Sequence, residues 1–225
     1  FSVGLWFGNF VLITSLVLMV WLPGNLISNL MVDETAPPQQ RAMSFLLLRS
    51  MIELTFGPIY TGGILYILAN RMTGQRSHLI EAIQVGIHNW GRLFLARLVA
   101  NLIIAAGLFA FIVPGIYLAI RYSLLDSVVV LEGGGVNDSR VRSARLIRGK
   151  EIELFAGLGL IYLVLLALVV ALQSLADAFP PLTNLWFDTL LDCVSDLGKI
   201  PCLCLPFAYY WELREWHPLK IDDND

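Results

Sequence analysis

Charge is scarce in this chain. Only 15% of its 225 residues are Asp, Glu, Lys or Arg, where a soluble domain carries about 25%. Apolar residues make up 57%, and the mean hydropathy is +0.70. So few charges cannot clothe a water-facing surface, so lipid must be part of the solvent. Catalytic signatures are missing as well. His78, His88 and His217 are scattered, with no HExxH and no carboxylate pair at a shared site. There is no phosphate-binding GxxxxGK[ST], no GxGxxG and no GxSxG. Gly133-Gly134-Gly135 lacks the Lys-Ser/Thr of a phosphate loop and reads as a hinge. Cysteine is rare. Cys193, Cys202 and Cys204 show no metal-ligand spacing and read as small packing residues. No cofactor or metal is expected. No basic face is interleaved with exposed aromatics, which argues against nucleic acid as a partner.

What the chain has in quantity is long apolar runs, and a bilayer takes about 20 residues to cross. They predict an all-α polytopic membrane protein with six transmembrane helices and one or two cytoplasmic interfacial helices. The body is expected over 1–211, with a polar tail over 212–225. The spans are read as Leu5 to Met31, Ala42 to Asn70, Leu93 to Val113, Ile116 to Leu131, Leu154 to Ala176 and Leu185 to Trp211. The first run is too long for a signal-peptide core. Between the second and third spans, Leu79, Ile80, Ile83, Ile87 and Trp90 recur at helical spacing, with Ser77 as N-cap. That stretch predicts a helix lying in the interface plane. A second such helix is expected over Asp138 to Arg148, between the glycine triplet and Gly149. A weak internal repeat links the two: Ser77 to Ala96 and Ser139 to Ala156 each run through a short helix and a glycine to Leu-Phe.

Arginine and lysine are segregated. Arg71, Arg76, Arg92, Arg97, Arg140, Arg142, Arg145, Arg148, Lys150, Arg214 and Lys220 fall to one side of a six-span layout, and only Arg41 to the other. By the positive-inside rule both termini are expected in the cytoplasm. The acidic loops around Asp33-Glu34 and Asp177 then face out.

Two groups of charged residues stand out. Within the spans are Arg49, Glu53, Arg121, Asp192, Asp196 and Lys199. Arg49 and Glu53 are four apart on one helix. Asp188, Asp192 and Asp196 repeat every fourth residue, with Lys199 three later. An ionised group near the bilayer centre costs about 2.5–3.5 kcal/mol, so these should face one another. They form either an outward-facing polar cavity or a set of structural interhelical pairs. Arg121 is expected to pair with Glu53 or with an aspartate of that stripe. The second group, Arg142, Arg145 and Arg148, falls three apart on the foot helix. It reads either as a clamp for lipid phosphates or a partner's acids, or as ordinary positive-inside anchoring. Val141, Ala144 and Ile147 form the adjacent apolar stripe, facing hydrocarbon or the bundle.

The stretch IVPGIYLAIRYSLLDSVVVLEG followed by SRVRSARLIRGK resembles a bacterial multi-pass family. That family includes the membrane domain of glycerophosphoryl diester phosphodiesterase and the YciC-like inner-membrane proteins. The resemblance rests on Pro114-Gly115-Ile116-Tyr117, Arg121, Val128 to Glu132, Ser143, Leu146 and Gly149, with Gly74 to Arg92 upstream. It covers about Ala42 to Ala171. It implies a multi-pass inner-membrane fold. It does not bring phosphodiesterase activity, because the chain carries no such domain. The expected function is a non-enzymatic accessory or scaffold subunit contacting lipid or other membrane proteins. The alternative is a small transporter or lipid-handling protein using the charged cavity. A membrane-embedded enzyme acting on lipid phosphodiesters is the least favoured class.

Overall fold

The computed structural model describes residues 10–31, 37–178 and 185–216. Trp6, the Asp33-Glu34 loop, Pro180-Pro181, the end of the tail and the side chain of Asp188 lie outside the described residues. Within them the chain is helical, in the order α1 Phe10–Met31, α2 Pro38–Met72, α3 Leu79–Ala110, α4 Ile112–Arg121, α5 Leu125–Leu131, α6 Val136–Leu146, α7 Glu151–Ala178, α8 Leu185–Gly198 and α9 Ile200–Trp216. Five stretches are long and apolar enough to cross a membrane: Phe10–Met31, Met43–Met72, Leu79–Ala110, Ile112–Leu131 and Glu151–Ser174. The expected sixth, Leu185 to Trp211, is split at Lys199 into α8 and α9 rather than at Pro201 or Pro206.

Three expected boundaries move. The stretch expected as a separate interfacial helix is instead the first half of α3, Leu79 to Trp90, and α3 runs unbroken to Ala110. His78 is the N-cap residue, without a side-chain cap. The hairpin turns at Phe111, in extended conformation, and not at Val113-Pro114-Gly115. Pro114 falls in the first turn of α4, where its missing N–H costs nothing. The expected fourth span is broken by a turn over Tyr122 to Leu124, although neither proline nor glycine is present there.

In lipid there is little hydrophobic drive between helices, so close packing of small residues decides which ones pair. The α2–α3 crossing works this way. A Cβ on Gly62 would come within 2.9 Å of the Gly86 Cα, and one on Gly86 within 2.1 Å of the Ile59 carbonyl oxygen. That crossing buries Ala82, Gly86 and Asn89 of α3 and leaves Glu81, Gln84 and His88 exposed. A second close approach, Gly107 against Gly115, ties α3 to α4.

Three apolar clusters follow. Ile13, Leu16, Val17 and Trp21 of α1 meet Ile64, Leu65, Ile67 and Leu68 of α2 and Phe207 of α9. Leu124, Val128, Leu146, Ile147, Leu154 and Tyr210 hold α6 against α5 and α9. Leu93, Ala96 and Ala100 of α3 pack on Leu125 and Val129 of α5. Helix α7 instead leaves Leu160, Leu163, Val164 and Leu166 outside the bundle, a surface suited to lipid.

Helix α6 begins after Gly133, at φ +72, and the chain leaves it through Gly149, at φ +90. Both conformations favour glycine. Its N-cap is Gly135 and not Asn137 or Asp138. Its buried face is Ser139, Ser143 and Leu146, followed by Ile147. Of the apolar stripe expected to face hydrocarbon or the bundle, Ile147 is buried in the bundle and Val141 is exposed.

Candidate functional site: a charged cavity within the helices

The intramembrane charges fall into two connected groups. In the first, Arg49 of α2 reaches α8. Its Nη2 contacts Asp196 Oδ1 and its Nη1 lies 3.6 Å from Asp192 Oδ1. Asn25 of α1 accepts from Arg49 Nη1 at 3.2 Å and donates to Asp196 Oδ2 at 2.9 Å. Asn29, one turn on, donates to Asp192 Oδ2 at 3.2 Å. Lys199 Nζ donates to Asp196 Oδ1 at 2.8 Å. Trp21 lies under both cations, 4.8 Å from Arg49 Cζ and 5.7 Å from Lys199 Nζ. Asp196, with a side chain only 1% exposed, thus has two cations and an amide to hold its charge.

In the second group Arg97 of α3 grips Asp126 of α5, Nε to Oδ1 at 3.0 Å and Nη2 to Oδ2 at 2.7 Å. Arg97 Nη2 also donates to Thr61 Oγ1 at 2.8 Å. Glu53 lies 3.9 Å from Arg97 Nη1 and accepts from the Tyr60 hydroxyl at 2.7 Å. Glu53 therefore faces Arg97, and the expected pairing with Arg49 on its own helix is not made.

Both groups line one cavity of about 890 Å³, to which every described helix except α6 contributes. Its charged lining is Arg49, Arg97 and Lys199 with Glu53, Asp126 and Asp196. Among the remaining polar groups are Ser50, Tyr60, Thr61 and Asn101.

Arg121 does not join this cluster. It ends α4, and the turn after it directs the side chain toward α6. Its Cζ lies 5.1 Å from the Tyr117 ring, and it pairs with none of Glu53, Asp192 and Asp196. The arginines of the foot helix also divide. Arg142 Nε pairs with Glu132 Oε2 at 3.2 Å, and Tyr210 donates to Glu132 Oε1 at 3.3 Å. Arg145 and Arg148 are exposed and line a second, smaller pocket with Arg121 and Arg140.

Sequence reasoning does not mark Arg97 and Asp126 as a site. Charge counting assigns Arg97 to a loop flank. Asp126 sits alone inside an apolar run, and that isolation is the available signal. Asn25 and Asn29, four apart in the first span, stand in the sequence as polar residues without an evident purpose.

Among the described residues no group of His, Cys, Asp and Glu could hold a metal ion. The cavity instead offers hydrogen bonding and charges of both signs.

The fold and the cavity define a multi-pass α-helical membrane protein with ionised groups gathered inside its helical body. The family model that matches, over residues 24–200, is that of UPF0259, an uncharacterised protein family, and the chain belongs to it. UPF0259 membrane proteins of Yersinia pestis (strain Pestoides F) and Yersinia pseudotuberculosis (serotype O:1b, strain IP 31758) are each 28% identical over 204 residues. In each case 88% of this chain and 75% of the relative are covered. No solved structure matches. This corrects the resemblance drawn from the hairpin and foot helix. The family match and the relatives place the chain in UPF0259, and not among phosphodiesterase membrane domains or YciC-like proteins.

Proposed function

We propose that this protein is a non-enzymatic inner-membrane protein that takes a small zwitterionic or polar group, a lipid headgroup or a solute of that size, into the charged cavity. The observation that carries this is the cavity of about 890 Å³ beside the Arg49–Asp196 and Arg97–Asp126 pairs. Pairs that serve only to fix helix register need no such space, since protein interiors leave few voids larger than a water molecule. The cavity is partly open and carries charged groups of both signs, so water can enter it. Its lining offers three cations and three carboxylates, which matches a ligand carrying one charge of each sign better than a simple ion. Lys199 and Glu53, the more exposed of the six, are the groups best placed to exchange their present partners for a ligand.

The experiment is thiol accessibility in a cysteine-free background. Ser50→Cys and Asn101→Cys, both lining the cavity, should react with a hydrophilic maleimide in opened membranes, and a zwitterionic ligand should slow the reaction. If both stay unreactive while Gln75→Cys reacts, the cavity is dry and the proposal fails.

A second reading, an accessory subunit contacting lipid or other membrane proteins, is favoured by the apolar face of α7. Fixed partners that co-purify in mild detergent and are lost when Leu163 and Leu166 are changed to alanine would support it.

A further inference from the structure

We infer that the pocket between the end of α4 and the foot helix α6 is a binding site for a phosphate group, distinct from the central cavity. It holds about 290 Å³ and is lined by Arg121, Tyr122, Arg140, Val141, Ala144, Arg145 and Arg148. Four guanidinium groups line it and no carboxylate does.

The contrast with the cations that have carboxylate partners is the core of the argument. Arg49, Arg97, Arg142 and Lys199 each meet a carboxylate. The four pocket arginines are in no ion pair among the described residues. Two of them are held by rings instead. Arg121 Cζ lies 5.1 Å from the Tyr117 ring, and Arg140 Cζ lies 5.7 Å from the Tyr122 ring. A ring orients a guanidinium without cancelling its charge. Arg121 Nε and Arg140 Nε are buried and have no hydrogen-bond partner, a state that is costly unless something supplies an acceptor. The wall itself is fixed: Ser143 Oγ of α6 donates to the Arg121 carbonyl at 2.8 Å, and Leu146 and Ile147 anchor α6 in the apolar cluster.

Like charges held together repel, and a bound anion removes that repulsion. Guanidinium forks match phosphate oxygens two at a time, which selects phosphate over a simple anion. The pocket is at the lower edge of the size range of small-ligand sites, about 300–1,000 Å³. It suits a single headgroup phosphate or a free phosphate. Val141, exposed at its rim, gives the apolar margin that a lipid's glycerol end would meet.

The test uses the full chain in a neutral maltoside detergent, reading thermal stability and direct binding. Dioctanoyl phosphatidic acid and dioctanoyl glycerol differ only in the phosphate. The first should raise the melting temperature and the second should not, because only a ligand of the folded state stabilises it. Arg145→Gln with Arg148→Gln, both at exposed positions, should weaken phosphatidic acid binding about tenfold or more. Arg145→Lys with Arg148→Lys should recover part of it and shows that loss is not misfolding. Arg142→Gln, which breaks the Glu132 pair, should lower stability and leave the affinity within about twofold. Competition by inorganic phosphate would name free phosphate as a sufficient ligand; a lack of competition would name the lipid headgroup. Equal response to the two lipids, or unchanged affinity in the double glutamine variant, overturns the proposal. None of these substitutions touches the cavity lining, so failure here leaves the reading of the cavity intact.

Discussion

Arg97 holds Asp126 with two parallel hydrogen bonds, of 3.0 and 2.7 Å, across the gap between α3 and α5. This bidentate contact fixes α5, the short helix after the break at Tyr122, against the longest apolar span. Removing Arg97 leaves Asp126 without a counterion, which in buried pairs costs about 3–5 kcal/mol, and removing Asp126 leaves Arg97 only the looser contact with Glu53 at 3.9 Å. Both side chains keep about a fifth of their exposure, so Arg97→Gln and Asp126→Asn should each cost about 2–3 kcal/mol. The double variant should cost less than the sum, by about 1 kcal/mol or more. Additive losses in thermal melts in detergent would show that the pair is not an energetic unit.

The glycines of α3 should separate sharply. Gly86→Ala places a Cβ against the Ile59 carbonyl oxygen, which backbone cannot easily yield, and should destabilise the protein by about 2 kcal/mol or more. Gly91→Ala meets nothing within 4 Å and should be neutral or stabilise by up to about 1 kcal/mol. Similar melting temperatures for the two variants would mean that the α2–α3 crossing is looser than the structure has it.

If both termini lie in the cytoplasm, Gln75→Cys and Asn137→Cys should be shielded from an impermeant thiol reagent applied to intact spheroplasts, and Gln39→Cys should react. The motive is the run of cations flanking 75 and 137. The reverse labelling pattern would invert the arrangement.

Helical spacing makes half of the site legible in the sequence. The four-residue repeat of Asp192 and Asp196, with Lys199 three later, puts these groups on one face, and opposite charge points to Arg49. What spacing cannot report is which other helix lies across the gap. Glu53 faces Arg97 rather than Arg49 because α3, not α8, covers that side of α2. Arg121 escapes the sequence for a related reason. A continuous span over Ile116 to Leu131 would keep it on one line with its neighbours, and the chain breaks at Tyr122 without a proline or glycine to announce it. The first half of α3 reads as interfacial because, taken alone, its polar face has only water to meet. Gly62, Gly63 and Gly86 bring α2 against Ala82, Gly86 and Asn89, while Glu81, Gln84 and His88 stay exposed, and no periodicity within this half shows that the helix runs on to Ala110.

The cavity's six charged groups sum to zero at their formal charges. Carrying one elementary charge through the membrane field involves about 2.3 kcal/mol for each 100 mV. If the cavity changed its access from one face of the membrane to the other, the empty lining would bring no net charge along, and the resting potential would do no work on it. Only the occupant would feel the voltage. A zwitterion would pass silently in an electrical recording, whereas a singly charged solute would turn the same movement into a current.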